Sequence, residues 1–116
     1  MRSPDLNTRK SALIAIKEAV LEGVTLHGVT PVQILLFGSR SRGDEDQYSD
    51  YDILVVVKED IEPQIERLIS RHIRRILAKK LIPVDVLVRS EKHVQHYKNA
   101  IGSVIKLALE EGVPIG

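Results

Sequence analysis

Two apolar runs, QILLF at residues 33–37 and ILVVV at residues 53–57, flank a polar stretch that opens on Gly38-Ser39 and closes on Ser49-Asp50-Tyr51-Asp52. No other feature constrains the fold as tightly. Each run is too short for an ordinary globular helix and is bounded by turn-forming residues, the pattern of a buried strand. With the second strand taken as Ser49 to Val57, alternation puts Asp50, Asp52, Leu54 and Val56 on one face and Tyr51, Ile53, Val55 and Val57 on the other. Both carboxylates then project from the same side. Between the strands, Ser39 to Asp46 reads as a turn leading into one short helical turn.

The flanking sequence supplies helices to cover such a sheet. Ser3-Pro4 is a helix start, and Leu13, Ile16, Val20 and Val24 recur at helical spacing towards an end near His27, with Gly28 and Pro31 as stop signals. Gly23 either shortens this helix or sits inside it at a cost of about 1 kcal/mol relative to Ala. Pro63 opens a second helix with a stripe of Ile65, Leu68, Ile69, His72, Ile73, Ile76 and Leu77. His72 on that stripe reads as a packed core residue. Ile82 to Val88 reads as a third strand interrupted by one charge, Asp85, which is costly in a buried strand unless compensated. Ser90 caps a last helix whose buried face is Val94, Tyr97, Ile101, Val104, Ile105 and Ala108, with Gly112 and Pro114 as its stop. The expected fold is a small mixed sheet flanked by helices, α/β in class, in the order α-β-β-α-β-α, as one domain over residues 1–116.

Composition narrows the function classes. A chain of 116 residues supports one core, so a macromolecular substrate has to dock on the outside. Seventeen basic residues against sixteen acidic ones leave a net charge of +1, which argues against a dedicated nucleic-acid binder. The absence of cysteine rules out disulfides and thiolate zinc sites. No run approaches the roughly 20 apolar residues of a membrane span and no signal peptide is visible at the N-terminus, so the expected location is cytoplasmic.

The chemistry suggested by the central stretch is nucleotidyl transfer. Moving a nucleoside monophosphate needs in-line positioning, charge neutralisation and an activated acceptor oxygen. Two Mg²⁺ ions about 4 Å apart supply most of this, and they prefer carboxylate and phosphate oxygens on a rigid surface. Asp-x-Asp on a strand offers two such ligands, Asp50 and Asp52. Asp85 is a third if its strand pairs beside the second in register, and it is placed to take the acceptor proton. Gly38 and Ser39 let backbone N–H groups and a hydroxyl approach phosphates. Arg40 and Arg42 are placed to neutralise a triphosphate.

Gly38-Ser39, Gly43 and Ser49-Asp50-Tyr51-Asp52 match the GSxxxG…SDxD motif, and on these residues the chain resembles the DNA polymerase β-like nucleotidyltransferase superfamily. It is most similar to the minimal nucleotidyltransferase branch, whose small proteins act as antitoxins beside HEPN-domain toxins. The resemblance covers the whole chain in element order and length, while its specificity rests on residues 36–57 and Asp85. It implies metal binding at Asp50, Asp52 and Asp85, ATP as substrate held by Gly38, Ser39, Arg40, Arg42, Gly43 and Ser49, and AMPylation of a tyrosine on the HEPN partner in a homo- or hetero-oligomer. Alternatives are a non-catalytic antitoxin that acts by binding, or transfer to a small molecule.

Other features have bland readings. Arg67, Arg71, Arg74, Arg75, Lys79 and Lys80 form a basic run that reads as a solvated helix face or, functionally, as a docking surface for an acidic partner or RNA. His93 and His96 read as surface residues. Tyr51 reads as packing, and Tyr48 as a base-stacking or partner contact.

Overall fold

A computed structural model of the chain describes residues 4–38 and 50–115, with side chains from residue 9 onward. The described elements run α1 (Pro4–Leu26), β1 (Pro31–Phe37), β2 (Tyr51–Val57), α2 (Pro63–Ala78), β3 (Val84–Ser90), α3 (Glu91–Tyr97), α4 (Val104–Glu111) and β4 (Val113–Pro114). Four strands form one sheet in the order β3-β2-β1-β4. β1 lies antiparallel to β2 and to β4, whereas β3 lies parallel to β2. A parallel neighbour requires a crossover connection, and α2 is that crossover.

The sheet is covered on both faces, which explains why β2 is an unbroken apolar run rather than an alternating one. Ile34, Leu36, Tyr51, Ile53, Val55, Val57, Val86 and Val88 pack under α1 and α2. Leu35, Phe37, Leu54 and Val56 pack against Val94, Ile105 and Ala108 of α3 and α4. The edge strand β3 is tied to α2, since Ser70 Oγ donates to the Val86 carbonyl at 2.9 Å and Arg89 Nη1 lies 3.6 Å from Glu66 Oε1. Such side-chain contacts blunt an edge that would otherwise recruit another strand. No helix among the described residues is long and apolar enough to cross a membrane.

Ile16, Val20 and Val24 are fully buried along α1, as their spacing requires. Gly23 sits inside this helix, because a Cβ there would lie 2.8 Å from Ile73 Cγ1 on α2. The missing side chain lets the two helices approach.

Four expectations need correction. The final helix is two helices: Gly102 takes φ of 79° and breaks the path, and the Ser103 hydroxyl accepts from the N–H groups of Ile105 and Lys106 to start α4. Ile101 is consequently 98% exposed rather than buried, and Tyr97 and Val104 are also exposed. The two residues after Gly112 form a short strand on β1 rather than a simple stop. On α2, Leu68 is exposed, and His72 sits at the rim against Glu22, at 3.6 Å, rather than in the core. The strand bounds also differ: β1 starts two residues early, at Pro31, and β2 two residues late, at Tyr51, the two ending at Phe37 and Val57 as expected, while β3 is displaced by two residues to Val84–Ser90.

At the end of the sheet where β1 begins, the Thr30 N–H and Oγ donate to the Glu59 carboxylate at 2.7 and 2.8 Å. These two bonds hold its carboxyl below the ordinary glutamate value. Its contribution to stability is therefore present above the unfolded-state value and lost as pH falls through the folded one. Acid titration of thermal stability is expected to show a shallower acid limb for Glu59→Gln than for the wild type; identical limbs contradict it. Gly23→Val is expected to destabilise the fold by about 1–3 kcal/mol through overpacking at Ile73, as read by chemical denaturation.

Candidate active site

Strand direction gathers the site at one end of the sheet. The C-terminal end of β1 and the N-terminal ends of β2 and β3 meet there, bringing Gly38, Asp52 and Asp85 together. Phe37 pairs with Asp52 across the antiparallel ladder, and Asp52 pairs with Asp85 across the parallel one. Adjacent strands lie about 4.8 Å apart, so these carboxylates leave neighbouring backbones on the same face. Asp85 does not lie mid-strand in the interior, as its sequence context suggested. Pro83 has no N–H for the ladder, its carbonyl accepts from Tyr51 N–H at 3.0 Å, and Asp85 is the exposed second residue of the edge strand. Burial therefore sets no objection to its charge.

Asp50 precedes the first paired residue of β2 and is exposed. It lines a cleft of about 400 Å³ with Arg74, Leu81, Ile82 and Pro83. Tyr51, next in sequence, points to the opposite face and is buried under the helices. Ser39, Arg40, Arg42, Gly43, Tyr48 and Ser49, and the short helical turn expected among them, lie outside the described residues.

Gly38 adopts φ of 76°, in the left-handed region. A Cβ at this position would collide with Oδ2 of Asp52. Two independent constraints thus require glycine where β1 leaves the ladder. The Gly38 N–H donates to Glu111 Oε1 at 3.0 Å, so the end of α4 contributes a fourth acidic residue to this region. Its nearest sequence signal was the pair Glu110-Glu111 at a helix C-terminus, where the helix dipole disfavours negative charge.

The Asp52 carboxyl is pushed above the ordinary aspartate value, first by burial and then by the charges of Asp85, Asp50 and Glu111. Among the described residues no three acidic or imidazole side chains are clustered closely enough to form a ready-made ion cage. The donor chemistry nonetheless suits a hard divalent cation, since Asp52 and Asp85 offer carboxylate oxygens from adjacent strands and Asp50 lies two residues before Asp52.

Residues 14–112 match the family model described as nucleotidyltransferase domain. No curated protein matches the chain by sequence. Among solved structures, a putative nucleotidyltransferase from Sulfolobus solfataricus is similar at 25% identity and a TM-score of 0.62, over 98% of this chain and 87% of that one. A chain from a toxin-antitoxin crystallised with AMP-PNP is similar at 16% identity and a TM-score of 0.56, over 85% of this chain and 71% of that one. The latter likeness is one of fold.

Because the folded protein holds Asp52 above its unfolded value, the ionised carboxylate opposes folding. That penalty develops as pH rises from the unfolded value and is complete above the folded one. Asp52→Asn is therefore expected to raise Tm by a few degrees at pH 7 in the presence of a chelator. The difference should shrink as pH falls below the ordinary aspartate range; a lower Tm for the variant at pH 7 contradicts this.

Proposed function

The chain belongs to the nucleotidyltransferase domain family, and we propose that it transfers AMP from ATP to a hydroxyl, specifically a tyrosine hydroxyl, of a cytoplasmic HEPN-domain toxin, and so acts as an antitoxin. The observation that carries this reading is the register of Asp52 with Asp85 beside Gly38. Two carboxylates on adjacent strands beside a glycine turn support a site for a metal ion and phosphate. Mg²⁺ held by Asp50, Asp52 and Asp85 would neutralise triphosphate charge and lower the pKa of the acceptor hydroxyl.

The residues of the chain divide the work. Asp52, partly buried between β1 and β3, is the rigid central ligand. Gly38, lacking a side chain, lets the Asp52 carboxylate lie directly against the turn that would carry the phosphates. As the acceptor oxygen bonds to the α-phosphorus, the bond to the β-phosphate oxygen breaks, pyrophosphate leaves and the hydroxyl proton passes to the Asp85 carboxylate. Asp85 is exposed and can meet an acceptor delivered from outside. The cleft beside Asp50 is continuous in composition with the exposed row Arg67, Arg71 and Arg74 on α2. Such a row attracts an acidic docking segment and supports a protein acceptor. The toxin-antitoxin structure with AMP-PNP supports the same partner class.

Intact-mass spectrometry of the neighbouring-gene partner, incubated with this protein, ATP and MgCl₂, tests the proposal. Expected is a mass gain of one or more AMP units with the wild type. Asp52→Asn and Asp85→Asn should each reduce the rate at least about 100-fold, matching a loss of roughly 3 kcal/mol of transition-state stabilisation. An unmodified partner that is still silenced in a complex would instead establish neutralisation by binding.

A further inference from the structure

The C-terminal segment is strapped onto β1 in a way that delivers one side chain to the site. α4 packs Ile105 and Ala108 against the sheet, and the chain then turns at Gly112. A Cβ at Gly112 would collide with the Ala108 carbonyl oxygen and lie 3.2 Å from Leu35 Cβ. Beyond it, Val113 pairs with Leu36 and Pro114 with Leu35, and the Ile115 N–H donates to the Ile34 carbonyl at 2.9 Å. The end of α4 is thereby fixed against β1, the first pair after it, Val113 with Leu36, lying one residue before the ladder with β2 ends at Phe37.

Glu110 and Glu111 both stand at the negative end of α4, and no basic residue lies in that last turn. A carboxylate there costs about 0.3–1 kcal/mol unless it is compensated. The two residues are compensated differently. Glu110 pairs with Lys106 along the helix. Glu111 instead accepts the Gly38 N–H at 3.0 Å, across 73 positions of sequence.

Resting on the nucleotidyltransferase reading above, we infer that Glu111 is a positioning residue which holds the Gly38 peptide in the orientation that nucleotide binding uses. Glycine has more backbone freedom to lose than any other residue, and Gly38 is held in a left-handed conformation against Asp52. A hydrogen bond at its N–H limits rotation of that peptide. Ordering the turn before the ligand arrives lowers the cost of binding. The role belongs to the acceptor oxygen of Glu111 and not to its charge, which would repel a triphosphate.

The test compares wild type, Glu111→Ala, Glu111→Gln and Glu110→Ala by calorimetric titration with ATP and MgCl₂, and by amide hydrogen exchange at Gly38. Glu111→Ala should weaken ATP binding about tenfold, the scale of one hydrogen bond, and speed exchange at Gly38. Glu111→Gln keeps a carbonyl acceptor and should restore both to near wild type. Glu110→Ala should change neither. Unchanged or tighter ATP binding in Glu111→Ala overturns the inference, as does a Glu111→Gln variant as weak as Glu111→Ala. A wild type that binds no ATP refutes the enzymatic reading itself, and the Gly38 exchange rates then decide the positioning contact separately: equal rates in wild type and Glu111→Ala overturn it too.

Discussion

The parallel register between β2 and β3 is the constraint on which the site depends. A slip of one residue would turn Asp85 to the opposite face, under α2, and leave Asp52 beside Val84 or Val86. The register is held from both sides: Tyr51, Ile53, Val55, Val86 and Val88 pack beneath α1 and α2, while Leu54 and Val56 pack towards α3 and α4 with Leu87 beside them. Apolar burial thus fixes the positions of charges that repel one another. The raised Asp52 carboxyl expresses partial burial first and that repulsion second.

The two ends of the sheet differ in how their acidic residues are held. Where β1 begins, Glu59 closes onto Thr30 with two hydrogen bonds. At the opposite end, four acidic residues converge on the departure of β1 into the Gly38 turn. Concentrating like charge at one end opposes folding, and the doubly covered central strand offsets it. Such a trade of stability for a charged site is common where a ligand supplies the missing counter-charge.

Much of this architecture was legible because its signals are local. The apolar run of β2, the stripe of Ile69, Ile73 and Leu77, and the opposite facing of Tyr51 and Asp52 follow from periodicity alone. The break between α3 and α4 was not legible, since Ile101 and Val104 continue a helical spacing that Gly102 and the Ser103 cap override. The exposure of Asp85 depends on β3 being an edge strand, which only the sheet order reveals. Glu111 was missed for a related reason: its partner is 73 positions away and is brought near by a two-residue strand containing proline.

The most direct measurement of the central claim is a ¹⁵N-resolved NMR titration of the wild-type protein with AMP-PNP and MgCl₂. Expected are shifts concentrated at Gly38, Asp50 to Asp52, Asp85 to Val86 and Glu111, with Thr30 and Glu59 at the far end of the sheet unmoved. Shifts centred on Thr30 and Glu59, or none at Gly38, Asp52 and Asp85 at saturating nucleotide, would contradict a nucleotide site built on the register of β2 with β3.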